Sequence, residues 1–194
     1  MRRVTAVLLA AGLSTRMNGG FKQLMPYRGR TIVEACVETL LASTADETLV
    51  VLGHRADEVA AAISRFHVRT VLNPDYERGM STSVVAGLRA VGLDADAMLV
   101  ALVDQPHVPV AVFDAVMDAY RESGALIVVP TIAGDTGHPV IFDTRLRDEI
   151  LAVDPAKGLR SVTYAHRAET LRVPVDSVGV LDDIDTPDDY ERLS

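Results

Sequence analysis

The side chains best suited to chemistry cluster in a loop between Gly12 and Lys22. The loop follows an apolar run over residues 5–10, which predicts a buried strand. It combines small residues with two cations, Arg16 and Lys22. Small residues let backbone N–H groups approach phosphate oxygens, and Arg and Lys neutralise the phosphate charge. A strand followed by such a loop therefore predicts a polyphosphate site.

Charge is distributed unevenly along the chain, and this supports an anion site near the first loop. The formal net charge is −8, yet no acidic residue precedes Glu34. Six basic residues do precede it: Arg2, Arg3, Arg16, Lys22, Arg28 and Arg30. The chain has 17 Arg but only two Lys, Lys22 and Lys157. Lys and Arg bind oxyanions differently, so a Lys in a chain that otherwise uses Arg indicates a position where a compact ammonium is needed. For Lys157, chance codon usage is an equally good explanation.

Spacing excludes two familiar phosphate loops. A Walker A loop requires G-x-x-x-x-G-K-[ST], but Gln23 follows Lys22 here. A dinucleotide fingerprint requires G-x-G-x-x-G, but Ser14 stands two residues after Gly12. A glycine-rich loop that only connects a strand to a helix is the plainer alternative.

Asp104 is the second candidate for chemistry. It follows the apolar run 98–103, which predicts a buried strand. Ligands of open α/β sheets bind beyond the carboxyl ends of the strands, so Asp104 is expected beside the first loop. A carboxylate beside a phosphate site is a typical Mg²⁺ ligand. The alternative is a turn-forming Asp shortly before Pro106.

An acidic run near the end of the chain supplies further carboxylates. Residues 182–189 contain five Asp. The N-terminus of a helix favours negative charge, which explains the last two of them. It does not explain Asp183 and Asp185, which flank Ile184 and which alternation places on one face. A metal-binding edge would need carboxylates on one face.

Apolar runs alternate with amphipathic segments over the first two thirds of the chain. We predict strands over 5–10, 47–52, 68–72, 96–103 and 126–131, and helices over 31–43, 56–66, 80–91 and 110–123. This order predicts βαβ units and a mostly parallel sheet with helices on both faces.

The regular alternation of predicted strands and helices ends after Thr131. We predict short strands over 140–142, 169–173 and 178–181, a helix over 144–152, and a loop over 154–161. A last helix is expected to begin at Pro187, with Thr186 as its cap and Asp189 three residues later. The predicted fold class is therefore α/β: one domain, residues 1–194, with a Rossmann-like doubly wound sheet and a small antiparallel addition in the C-terminal half.

Composition excludes several classes of protein. No uninterrupted apolar run approaches the roughly 18 residues that a membrane span requires. A pI of about 5.0 argues against general nucleic-acid binding. The single cysteine, Cys36, excludes an internal disulfide and is typical of a reducing cytoplasm, so a cytoplasmic protein is expected.

The first loop resembles the signature of the MobA-like nucleotidyltransferases, L-x-A-G-x-S-x-R-M, then a spacer and K-x-L-x-P. The matching residues are Leu9, Ala11, Gly12, Ser14, Arg16, Met17, Lys22, Leu24 and Pro26. Asn18 departs from the pattern, because the family usually has Gly there. Further matches follow in order: Asn-Pro-Asp-Tyr at 73–76, Asp-Gln-Pro at 104–106, Gly-His-Pro at 137–139 and Asp-Ile-Asp-Thr-Pro at 183–187.

The Gly-His-Pro motif is similar to that of the molybdenum cofactor cytidylyltransferase branch. The resemblance implies a nucleotide-diphospho-sugar transferase-like fold and transfer of a cytidylyl group from CTP to a molybdopterin-type phosphate acceptor, with release of pyrophosphate. It also implies a Mg²⁺ cofactor and, as a further partner, a molybdoenzyme or its maturation chaperone.

The resemblance also assigns residues to roles. Catalytic residues would be Arg16, Lys22 and Asp104, and the metal ligands Asp104 and Asp185. Nucleotide-binding residues would be Leu9, Ala10, Ala11, Gly12, Ser14, Arg16, Lys22, Ser81, Ser83 and Asp104. The acceptor would contact His138, Lys157 and Arg160, in the loops 132–138 and 156–164.

Several alternatives are open at this point. Another nucleotidyltransferase, either guanylyl or specific for a sugar or alcohol phosphate, shares the loop and Asp104. The guanylyl branch usually has Gly at the position of Ala11, which favours CTP. A non-catalytic nucleotide- or cofactor-binding protein would not need the carboxylates, and a flavodoxin-like regulator would need an acidic pocket. Ser81 or Ser83 could act as a helix N-cap, and a lone His such as His138 is often structural.

Overall fold

The computed structural model describes residues 1–155 and 158–193. The strands are β1 Val4–Ala10, β2 Pro26–Tyr27, β3 Arg30–Thr31, β4 Glu47–Leu52, β5 Arg69–Leu72, β6 Ala97–Leu102, β7 Ile127–Ile132, β8 Asp135–Thr136, β9 Val140–Asp143 and β10 Thr170–Pro174. The helices are α1 Ile32–Leu41, α2 Ala56–Ala62, α3 Met80–Ala90, α4 Val110–Ser123, α5 Arg147–Leu151, α6 Arg160–Ala165 and α7 Pro187–Leu193.

One mixed sheet carries the architecture, in the strand order β10-β7-β9-β6-β1-β4-β5. The order β6-β1-β4-β5 is parallel throughout, with Val7 of β1 opposite Leu49 of β4 and Val100 of β6. β9 runs antiparallel between β6 and β7, and β8 pairs antiparallel with β7. β10 is parallel to β7. The predicted mostly parallel sheet with a small antiparallel addition in the C-terminal half is confirmed.

Helices cover both faces because every residue of β1 is buried and each face needs an apolar cover. Leu8 belongs to the core shared with α1 and α4, which includes Val37 and Val116. Val7 belongs to the core on the opposite face, shared with α3, α5 and α6, which includes Val84. None of the helices in the described part of the chain is long and apolar enough to cross a membrane.

The C-terminal third departs most from the predicted elements. The predicted strand at 178–181 is wrong, since Val178–Val180 forms a short 3₁₀ turn. A side chain at Gly179 would lie 2.8 Å from the ring of His107, so this turn packs too closely over His107 for an ordinary residue. The helix predicted over 144–152 begins as a 3₁₀ turn, and the segment predicted as a loop becomes α6 from Arg160.

The cap of the last helix is confirmed. The Thr186 hydroxyl accepts a hydrogen bond from the backbone N–H of Asp189 at 3.2 Å. The Asp189 carboxylate in turn accepts from the backbone N–H of Thr186 at 2.9 Å. The two residues satisfy donors that the first turn of a helix leaves free.

Gly87 sets how closely α3 approaches the sheet. A Cβ atom at Gly87 would lie 2.6 Å from Cγ1 of Val7 and 3.3 Å from Cγ2 of Val51. Helix propensity alone predicts that Gly87→Ala stabilises by about 1 kcal/mol. Overpacking costs about 1–3 kcal/mol, so we expect a net decrease in the free energy of unfolding. Urea denaturation measures it, with exposed Arg89→Ala on the same helix as control; equal or greater stability of Gly87→Ala would contradict the prediction.

Candidate active site

The first loop and Asp104 lie beside each other because β1 and β6 are adjacent parallel strands. Leu9 of β1 pairs with Leu102 of β6. The backbone N–H of Val103 donates to the carbonyl oxygen of Leu9 at 3.3 Å. The loop after Ala10 and the turn that contains Asp104 therefore leave the sheet at one edge, where ligands of open α/β sheets bind.

Gln23 holds the first loop in shape, although no sequence pattern singles it out. It is fully buried, and its Nε2 donates to the carbonyl oxygen of Gly12 at 2.8 Å. Its Oε1 accepts from the Ser14 hydroxyl at 2.9 Å, and that hydroxyl accepts from the backbone N–H of Lys22 at 3.1 Å. The burial of an amide beside Lys22 is a tertiary property, and the residue type alone does not reveal it.

The Lys22 ammonium lies between two carboxylates from distant parts of the chain. Nζ is 3.2 Å from Oδ2 of Asp104 and 3.0 Å from Oδ1 of Asp185. The Lys22 side chain is only 9% exposed. Arg16 is paired with the other oxygen of Asp185, Oδ2, at 2.9 Å. The structure thus brings together the four charged residues that the sequence predicts as catalytic or metal-binding.

Asp183, the other carboxylate that flanks Ile184, faces a different partner. Its Oδ1 accepts from Nε2 of Gln105 at 2.8 Å. Burial raises the pKa of Asp183 above its usual range, and the charges of Asp104 and Asp185 raise it further. The charges of Asp104 and Asp185 therefore act on the Asp183 carboxyl group, although Asp183 does not bond to Lys22.

Asp104 and Asp185 fit a divalent cation. Both carboxylates point at one ammonium, so their oxygens already converge on one position. Oδ1 of Asp104 is buried and has no hydrogen-bond partner within the described residues. Over residues 1–155 and 158–193, no group of three or more His, Cys, Asp or Glu side chains surrounds a common metal position. A hard cation held here would complete its shell with phosphate oxygens and water.

A cavity of about 280 Å³ opens above this cluster. The predicted nucleotide-binding residues that line it are Leu9, Ala11, Gly12, Ser14, Arg16, Lys22, Ser83 and Asp104. Asp185 and Tyr76 also line it. Ala10 lies in the strand below, fully buried, with its carbonyl oxygen 3.5 Å from Nε2 of Gln23.

The two serines of α3 lie in different places. Ser83 lines the 280 Å³ cavity, and its hydroxyl accepts from the side-chain amide of Asn73 at 3.0 Å. Ser81 instead faces a neighbouring cavity, and its hydroxyl donates to the carbonyl oxygen of Pro155 at 3.4 Å. Neither is the N-cap of α3, because the helix begins at Met80 after Gly79.

The neighbouring cavity has a volume of about 840 Å³ and lies between α3 and α6. His138 and Arg160, two of the predicted acceptor residues, both line it, and Met80 lines both cavities. The third predicted acceptor residue, Lys157, lies outside the described residues.

His138 lines the larger cavity and is half-buried. Burial lowers the pKa of His138 below its ordinary value, and the nearby charge of Asp104 opposes this only in part. The side chain is therefore neutral near pH 7 rather than a cation. A side chain at Gly137 would lie 1.9 Å from the carbonyl oxygen of Val180, so the loop requires glycine there.

The fold and the site define a class: an α/β protein whose cationic loop and paired carboxylates are arranged for the phosphates of a nucleotide. The model of the MobA-like NTP transferase domain matches residues 6–170, so the chain belongs to this family. It is accordingly a nucleotidyltransferase, as the sequence predicts, rather than a non-catalytic binding protein.

Two relatives of this chain are named for different reactions. The chain is 38% identical over 153 residues to the nicotine blue oxidoreductase of Paenarthrobacter nicotinovorans, covering 76% of this chain and 74% of that protein. It is 26% identical over 191 residues to the molybdenum cofactor cytidylyltransferase of Escherichia coli K12, covering 98% of this chain and 95% of that protein.

A solved structure adds a metal to the comparison. The Mycobacterium tuberculosis H37Rv protein Rv0371c, in complex with manganese, superposes with a TM-score of 0.83 at 30% identity. The alignment covers 98% of this chain and 97% of that one.

Removing the charge of Asp104 tests its role toward a metal. Asp104→Asn keeps the shape of the side chain but loses half of the carboxylate pair. We expect the Mg²⁺ concentration needed for half-maximal nucleotide binding to rise at least about tenfold. Calorimetric nucleotide titrations at stepped Mg²⁺ concentrations measure this, with exposed Asp57→Asn on α2 as control. An unchanged Mg²⁺ requirement would leave Asp104 as a turn residue.

Replacing Gln23 tests the support of the first loop. Gln23→Met keeps the volume but leaves the carbonyl of Gly12 and the hydroxyl of Ser14 without their partner. Gly12 is exposed and Ser14 half-buried, so each lost hydrogen bond costs about 0.5–1.5 kcal/mol, and we expect a decrease of that order in the free energy of unfolding together with weaker nucleotide binding. Chemical denaturation and nucleotide titration measure the two effects. Parent-like values in both would show that other contacts hold the loop.

Proposed function

We propose that the chain is a CTP:molybdenum-molybdopterin cytidylyltransferase. It would transfer the cytidylyl group of CTP to the phosphate of a molybdopterin-type acceptor, giving molybdopterin cytosine dinucleotide and pyrophosphate. The observation that carries the proposal is the pair of adjoining cavities, which share Met80. The smaller is lined by the cationic loop, and the larger by the Gly137-His138-Pro139 loop. The similarity over nearly the full length of the E. coli molybdenum cofactor cytidylyltransferase supports the same reaction.

The larger cavity suits an acceptor with a flat apolar body and an anionic group. Its floor includes Val100 of β6 and Ile127 and Val129 of β7. Its rim carries three arginines, Arg160, Arg167 and Arg172. Apolar walls bind a ring system and guanidinium groups donate hydrogen bonds to its oxygens, while the terminal phosphate of a pterin would extend toward the nucleotide cavity.

The transfer needs no protein nucleophile. An oxygen of the acceptor phosphate attacks the α-phosphorus of CTP, a new P–O bond forms, and the bond to the β-phosphate breaks with pyrophosphate leaving. Lys22 and Arg16 neutralise the charge that develops on the leaving group. Asp104 and Asp185 would hold Mg²⁺, which supplies further charge neutralisation when bound. Cys36 does not serve as a nucleophile, because burial raises the pKa of its thiol far above neutrality.

The relative named nicotine blue oxidoreductase favours a second candidate, a redox reaction on a heterocycle in the larger cavity. The chemistry of the two candidates separates them. The oxidoreductase candidate predicts a change in nicotine blue absorbance when an external electron donor is supplied, and no pyrophosphate. The cytidylyltransferase candidate predicts pyrophosphate release that depends on CTP and molybdopterin together.

Base preference is the sharpest test of the cytidylyl assignment. Ala11 lines the nucleotide cavity, where the guanylyl branch usually has Gly, and its methyl group leaves less room for a purine. A misplaced methyl group is worth about 1–3 kcal/mol, so we expect CTP to exceed GTP by at least about tenfold in kcat/KM. Ala11→Gly should shift the preference partly toward GTP.

Pyrophosphate release with CTP, GTP, ATP and UTP, in the presence of Mg²⁺ and molybdopterin, measures the preference. Since a Cβ at Gly53 would lie only 2.7 Å from the Cβ of Ala11, that methyl also packs against the Gly53 turn. Thermal unfolding of Ala11→Gly is therefore a necessary control. Equal use of CTP and GTP by the parent would refute the cytidylyl assignment while leaving nucleotidyl transfer intact.

A further inference from the structure

The four charged side chains in ion-pair contact around Lys22 balance one another without any ligand. Lys22 and Arg16 contribute two positive charges, and Asp104 and Asp185 contribute two negative charges. Asp183 adds a carboxyl group to the same field without bonding to Lys22. A divalent cation therefore meets carboxylates that are already paired with cations rather than a bare pair.

The oxygens that a metal requires are the ones that the cations occupy. Oδ2 of Asp104 and both oxygens of Asp185 are engaged by Lys22 or Arg16. Of the four oxygens of Asp104 and Asp185, Oδ1 of Asp104 alone has no hydrogen-bond partner within the part of the chain that the structure describes. Since the Lys22 side chain is nearly buried, a metal cannot bridge the two carboxylates while the ammonium stays between them.

We propose that Lys22 holds the position of the divalent cation until a triphosphate arrives and draws the ammonium away from Asp104 and Asp185. Metal and nucleotide then bind with positive cooperativity, and metal alone binds weakly. The proposal needs the triphosphate of a nucleotidyltransferase substrate, but it does not depend on the base or on the acceptor.

Geometry permits this exchange. Lys22 and Arg16 both line the 280 Å³ cavity, so phosphates placed there compete directly with the two carboxylates for them. The Arg16 side chain is 66% exposed, so solvent and ligands can reach its ion pair with Asp185, and Lys22 has a flexible four-carbon stem. By linkage, any factor by which nucleotide tightens metal binding is the factor by which metal tightens nucleotide binding.

Removing the ammonium should open the metal site without nucleotide. We expect Lys22→Met to bind Mn²⁺ at least about tenfold more tightly than the parent, because both carboxylates lose a nearly buried cationic partner. Electron paramagnetic resonance of free Mn²⁺ measures the affinity with the metal alone. Arg89→Met removes a positive charge from the exposed face of α3 and should leave it unchanged. Equal or weaker Mn²⁺ binding by folded Lys22→Met would overturn the proposal.

A second measurement uses the parent protein and does not depend on the folding of a variant. Because the chain has only two lysines, ¹³C-lysine labelling gives two side-chain signals, and Lys157→Arg assigns them. The metal-free α,β-methylene analogue of CTP should shift the Lys22 signal, whereas Mg²⁺ alone at the same protein concentration should not. A shift with Mg²⁺ alone, or none with the analogue, would overturn the proposal. If the protein prefers GTP, the corresponding analogue of GTP replaces the CTP analogue in this measurement. The base preference and the displacement of Lys22 are therefore tested separately.

Discussion

The ammonium of Lys22 between Asp104 and Asp185 is the contact on which the rest of the site depends. Lys22 is 82 residues from Asp104 and 163 residues from Asp185 in sequence, so the contact requires most of the fold to be in place. Removing half-buried charges from water is costly unless opposite charges meet in good geometry. The surrounding structure therefore has to hold three backbone segments at fixed separations.

Each segment is held by its own contact. Gln23 closes the first loop, because its side-chain amide donates a hydrogen bond to the carbonyl oxygen of Gly12. The backbone N–H of Ile184 donates to the carbonyl oxygen of Asp104 at 2.8 Å, which joins the acidic run to the end of β6. The side chain of Ile184 is fully buried and anchors that run in the core. The charged side chains thus project from backbone that is fixed by apolar burial and by hydrogen bonds.

The two cavities differ in the kind of surface that they present to a ligand. The smaller presents cations to phosphates, and the larger presents an apolar floor with an arginine rim. Met80 lines both cavities, so the two adjoin each other. This arrangement allows a reactive phosphate of an acceptor to approach the α-phosphate while its body stays in the larger cavity.

The sequence by itself determined the fold class and the family, and it predicted the four charged residues that the fold brings together. Apolar runs such as 47–52 and 98–103 mark strands that are buried on both faces, and the spacing from Leu9 to Pro26 is specific enough to identify the family. These features are readable because they depend on local pattern. The strand predicted over 178–181 is wrong, because a few apolar residues suit a strand and a buried turn equally well. The packing of Gly179 against His107 decides in favour of the turn.

Tertiary structure alone decided which partner each polar side chain has. Asp183 and Asp185 are equivalent in the sequence pattern, yet one bonds to Gln105 and the other to Lys22. Ser81 and Ser83 stand two residues apart on α3 but line different cavities, because a helix turns by roughly 200° between them. The burial of Gln23 and the place of Lys22 between two carboxylates depend on contacts across the whole chain, and local residue order carries no information about such contacts.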